Sequence, residues 1–246
     1  MSTEMKMTEG PSRPAHGARW NLIEVLLVYA AIYALGFGYN ILVNFMFDRF
    51  GENWPDNAGT MFFVASIVVE ATLLLVALWY VVVVRHRGRL SEVGFTAKAW
   101  PRQIITGILA GLAIFIVVYA ADTLTFWLTG PRQAPNPLVD LAGAARAPRE
   151  LFLPLFLGSL LVPISEESYF RGFAYPALRD RIGKPWAMIL VTVFFALIHL
   201  DPWGLPALIL AGFALVWLYD RTQSIWPPII AHAIWNGLVT ALVYLG

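Results

Sequence analysis

The sequence predicts an all-α, polytopic bundle of about seven transmembrane helices, and three observations predict it. Of the 246 residues, 59% are apolar and 13% carry a charge, against about 45–50% and about 25% in an ordinary soluble domain. Too little polar side chain remains to cover a soluble globule. The apolar residues gather into seven stretches, most of them near the ~20 residues a helix needs to cross a bilayer. None shows the two-residue alternation of a barrel strand, and in lipid only helices and closed barrels satisfy their own backbone. The same arithmetic excludes other classes. Disorder needs low hydrophobicity, zero cysteines remove a disulfide scaffold and thiolate chemistry, and a net charge of +1 speaks against a nucleic-acid binder.

In chain order, residues 1–19 are polar and include Gly10, Pro11 and Pro14. They read as a disordered cytoplasmic tail with no signal-peptide pattern. Residues 20–246 read as the transmembrane helical domain. Its apolar stretches run Trp20–Phe47, Gly59–Val84, Ile104–Leu128, Leu151–Leu178, Pro185–Leu200, Leu205–Tyr219 and Ile225–Gly246. The fifth and sixth are short, so they form either two spans or one re-entrant pair. Gly107 and Gly111 in the third stretch permit close helix contact. With seven spans, twelve of the seventeen Lys and Arg fall on one side and four on the other. This places the N-terminus in the cytoplasm, with the Arg85–Arg89 run as anchor. The basic loops fit a bacterial inner membrane.

Ionisable groups inside a bilayer are costly and ask for a reason. Glu24 lies in the first turns of its stretch and is expected to face the headgroups. Asp122 is expected to serve an interhelical hydrogen bond, and Glu70 stands near mid-span with either a structural or a functional role. Five others cluster: Glu166, Glu167, Arg171, His199 and His232. Glu167 and Arg171 are four apart and share a helix face, so they can pair. Glu166 is turned about 100° away, which leaves one carboxylate held and one directed elsewhere, suited to act as a general base. His232 and Asn236 project from one face of the last helix. Gly183 and Pro185 mark a tight turn between the fourth and fifth helices. Glu166 and His199 lie equally far from that turn, about 24 Å along each helix, and should stand at one height. The site is therefore expected among the fourth, fifth and seventh helices. The ends carrying Arg179, Arg181 and Lys184 should project past the cytoplasmic headgroups.

Three strings, Glu166-Glu167-x-x-x-Arg171, Phe195-x-x-x-His199 and His232-x-x-x-Asn236, resemble the CPBP family of CAAX-protease and bacteriocin-processing membrane proteins. That family includes the type II CAAX prenyl endopeptidases. Arg171-Gly172 and Pro227-Pro228 add to the likeness, which covers a catalytic core of residues 150–246. The first three helices match in general character only. The resemblance implies an intramembrane glutamic endopeptidase, a hydrolase in which Glu166 and His199 activate water. His232 and Asn236 would stabilise the oxyanion, with Glu167 and Arg171 in support.

A carboxylate with an imidazole can deprotonate water, and amide and imidazole N–H groups can form an oxyanion hole. Two His and a Glu can also hold zinc. However, the second histidine lies on another helix and there is no His-Glu-x-x-His string, so the site reads as metal-free and cofactor-free. The implied partners are a membrane-associated or lipidated peptide or protein and the bilayer itself. Two alternatives remain: a non-catalytic membrane immunity or scaffold protein, which has no need to keep the four catalytic side chains together, and a small transporter, which lacks matched discontinuous helices.

Overall fold

The computed structural model describes residues 17–51, 54, 55, 57–131 and 137–246. Most of the expected N-terminal tail, residues 1–16, lies outside them. Every regular element among the described residues is helical: α1 Leu22–Phe50, α2 Ala58–Trp79 with a π-helical continuation Tyr80–Arg85, α3 Trp100–Thr129, α4 Pro137–Gly143, α5 Pro148–Ile182, α6 Lys184–Leu197, α7 Leu205–Thr222 and α8 Trp226–Leu245. Six of these, all but α4 and α6, are long and apolar enough to cross a membrane. The chain is a multi-pass membrane protein.

The N-terminal helix starts where its chemistry dictates. Asn21 accepts from the Glu24 backbone N–H while Glu24 accepts from the Asn21 N–H, a reciprocal capping box. The Glu24 carboxylate, expected to face the headgroups, has partners within the protein. It is buried, 2.5 Å from Arg85 Nε and 2.9 Å from His86 Nε2, which fastens the start of α1 to the end of α2. The Trp20 indole N–H donates to the Phe173 carbonyl at 2.7 Å, and its ring stacks on Phe173. The Tyr169 hydroxyl donates to the Val25 carbonyl at 2.9 Å. These bonds fix α1 against α5, while most of the remaining α1 surface is exposed, as suits a helix bathed in lipid.

Gly107 and Gly111 act as the sequence suggests. A Cβ at Gly107 would stand 2.7 Å from the Ile230 Cβ, and one at Gly111 would stand 2.8 Å from the Ala231 carbonyl oxygen. Only glycine lets α3 lie this close to α8.

Arg19, Arg85, Arg89, Arg102, Arg179, Lys184 and Arg221 gather at one end of the bundle. The Ile225 N–H donates to the Gly94 carbonyl there, and Lys184 pairs with Asp220, which also accepts from the Tyr175 hydroxyl. Gly183, at φ 80°, ends α5, and α6 begins at the next residue with Pro185 in its first turn. Because Asp220 meets Lys184, α6 and α7 form a hairpin that enters and leaves at this basic end. Its tip is the 198–204 link, where Asp201 Oδ1 accepts from the Gly204 N–H and starts α7. α6 has 14 residues, about 21 Å of helix. α5 extends about 27 Å beyond Glu166 toward the other end, so the tip stops inside the bundle.

Candidate active site

Helix α5 departs from α geometry twice, in π-helical turns at Leu157–Leu161 and Ser168–Ala174. The second follows Glu166 and Glu167 directly. A π turn inside an α-helix redirects side chains and recurs at functional sites. Here it accompanies a densely buried run from Glu167 to Ala177.

Glu167 and Arg171 are paired as the spacing predicts. Arg171 Nη1 donates to Glu167 Oε1 at 2.9 Å, with both side chains buried. Arg171 also donates through Nη2 to the Gly212 carbonyl at 3.2 Å, and its guanidinium lies 4.4 Å from the centre of the Phe195 ring. One arginine thus joins α5 to α7 and α6. Glu167 Oε1 takes a second bond that the spacing did not reveal, from His232 Nδ1 at 2.8 Å. The His232 ring is 3% exposed, and it stacks on Trp235, one helical turn away.

His199 lies two residues past the end of α6, in the turn. Its Nδ1 is 2.7 Å from the Phe195 carbonyl oxygen, and its ring meets the Phe195 ring edge-on. The Asn236 amide N–H donates to the Gly158 carbonyl at 2.7 Å. Phe195 is a structural platform between Arg171 and His199. Tyr169 is committed to α1 and does not line the cavity.

These parts surround a cavity of about 410 Å³ whose wall includes Glu166, His199, His232 and Asn236. Glu166 Oε2 is buried with no hydrogen-bond partner among the described residues. Glu70, Asp122 and Asp201 line the same cavity. Asp122, expected to serve an interhelical hydrogen bond, is thus part of the cavity wall. Sequence reasoning passed over Asp201, although its place two residues after His199 was the available signal. It also passed over Trp235, which shares a face with His232 at helical spacing.

Among the described residues no three His, Asp or Glu side chains converge to hold an ion.

Residues 148–238 match the model of the Rce1-like type II CAAX prenyl endopeptidases. The chain is also similar to the membrane protein YdiL of Bacillus subtilis (strain 168), whose name makes it a candidate membrane peptidase. The two are 33% identical over 90 residues, which is 37% of this chain and 37% of that relative. No solved structure matches the chain. The matched segment runs from the start of α5 into α8 and contains all three strings. Over this segment, and not over the rest of its length, the chain is similar to the Rce1-like type II CAAX prenyl endopeptidases.

Proposed function

We propose that this chain is an intramembrane endopeptidase. It hydrolyses a peptide bond of a membrane-associated or lipidated protein or peptide, with Glu166 and His199 activating the water. The observation that carries the reading is a shared cavity, with Glu166, His199, His232 and Asn236 in its wall and a Glu166 carboxylate oxygen without a hydrogen-bond partner among the described residues. A carboxylate beside imidazole is equipped to take a proton from water. His232 and Asn236, one turn apart on α8, handle the carbonyl oxygen and the moving proton. In this reading the cavity stands at bilayer depth and takes a substrate held in the membrane.

Residues 150–246 form the catalytic core in this reading, and α1–α3 form its casing. The basic end faces the cytoplasm of a bacterium, with the N-terminus on that side.

The test compares the membrane proteome and released peptides of cells carrying wild type or Glu166→Ala at matched abundance. Peptide termini that vanish with Glu166→Ala, and with His199→Ala, are expected. An unchanged set of termini, with the cellular phenotype intact, would favour the immunity or scaffold role.

A further inference from the structure

Another depression lies where α3 packs on α7, separate from the peptidase cavity, and measures about 130 Å³. The six residues that line it are all apolar: Ala113, Ile114 and Val117 on α3, and Leu210, Ala211 and Ala214 on α7. Ile114 and Ala211 are buried and form its floor, while Val117 and Leu210 are each 47% exposed and form its rims. The three alanines leave the seam between the two helices underfilled, and the resulting groove faces outward.

Each helix carries the lining of the groove on to an arginine. On α7, Leu210, Ala214, Trp217 and Arg221 recur at helical spacing along one face. On α3, Val117, Ala113, Leu109, Thr106 and Arg102 do the same. The Ser224 hydroxyl donates to Gln103 Oε1 at 2.7 Å, which holds the start of α3 beside the end of α7, so both stripes come out at the basic end. The Arg221 guanidinium lies 5.4 Å from the centre of the Trp217 ring. Both arginines are exposed, and among the described residues neither has a carboxylate partner. Ala113 stands about 16 Å along its helix from Arg102, and Ala211 about 15 Å from Arg221. One leaflet of a ~30 Å hydrocarbon core is about 15 Å deep. The groove therefore lies one leaflet's depth from the two cations.

We propose that this seam binds one anionic phospholipid of the leaflet at the basic end, with its phosphate held by Arg102 and Arg221 and one acyl chain laid along the stripes into the groove. Basic groups at the mouth of a cleft between membrane helices select anionic headgroups, and Trp217 suits the boundary between headgroup and chain. A neutral lipid fills the groove and leaves the arginines unserved. A soluble anion meets the arginines and leaves the groove open. The site stands independently of the peptidase reading, yet it bears on the cavity. Val118, next to Val117, and Leu208, one turn before Ala211, both line that cavity, so a seated chain braces the wall that α3 and α7 give it.

The test titrates the delipidated full chain in detergent with phosphatidylglycerol and with phosphatidylcholine of the same acyl chains, and counts retained lipid by native mass spectrometry. The wild type is expected to keep one phosphatidylglycerol, favoured about 30-fold over phosphatidylcholine, the worth of two basic side chains at an anionic surface. Equal retention of the two lipids overturns the proposal. Arg102→Gln with Arg221→Gln should abolish the preference. Arg87→Gln with Arg181→Gln removes the same charge from exposed positions off the seam and should keep it; loss of the preference in both pairs overturns the assignment to this seam. Ala214→Leu fills the groove and should weaken retention of both lipids with the preference intact. Unaltered retention overturns the placement of the chain. Glycerol 1-phosphate, a headgroup without chains, should neither compete with phosphatidylglycerol nor raise the thermal midpoint. Competition at equal concentration would make this a site for free phosphate and overturn the lipid.

Discussion

At the scale of single residues, Glu167 Oε1 serves two donors, Arg171 Nη1 and His232 Nδ1. Arg171→Ala removes one of them and leaves a carboxylate buried beside a lone imidazole. Breaking a buried pair from one side costs about 3–5 kcal/mol, so Arg171→Ala is expected to lower the unfolding midpoint in detergent steeply, while Arg171→Lys recovers part of the loss. Asn236→Ala is a different case, because Asn236 is only partly buried and gives one hydrogen to Gly158. It is expected to leave the fold in place and to reduce cleavage about 100- to 1,000-fold, the usual cost of one oxyanion donor. Circular dichroism and a count of Glu166-dependent termini separate these outcomes. The Glu167–Arg171 pair was legible in the sequence because four-residue spacing on a helix is a local rule. The Glu167–His232 bond was not, since positions 65 apart meet only through the packing of α5 on α8.

At the scale of elements, the close approach of α3 to α8 is made by small residues. A Cβ at Gly111 meets the Ala231 backbone oxygen, which cannot rotate away as a side chain can. Gly111→Leu is therefore expected to push α3 off α8 and to destabilise by at least about 1–3 kcal/mol, read as a lowered thermal midpoint. Trp20→Ala should also destabilise, by about 3–5 kcal/mol, through the lost stack and bond to Phe173. All seven apolar stretches of the sequence became helices, since hydrophobic runs of that length have no other solution in lipid. What escaped the sequence came from packing. The π turns of α5 leave no mark in composition, α4 is a seven-residue helix between polar segments, and the hydropathy of α6 runs past its end, so His199 read as helical although it sits in the turn.

At the scale of the whole molecule, the described basic residues divide unequally between the two ends, with Arg49, Arg146 and Arg149 opposite the main group. Because the chain has no cysteine, introduced cysteines report topology cleanly. Arg89→Cys is expected to resist a membrane-impermeant maleimide in intact cells, and Ala145→Cys to react with it. The reverse pattern would invert the orientation. The proposed catalytic set was legible as three strings, and their placement around one cavity goes with the Gly183 turn and the α6–α7 hairpin. The size of the cavity and the presence of Glu70, Asp122 and Asp201 in its wall were not, because they depend on how far α2 and α3 stand from α5. The double use of Glu167 also bears on descent. A lineage drifting toward a non-catalytic role can surrender Glu166, His199 or Asn236 at small structural cost. It cannot surrender Glu167 or Arg171, so an inactive descendant should keep the second glutamate and the arginine long after the first glutamate has gone.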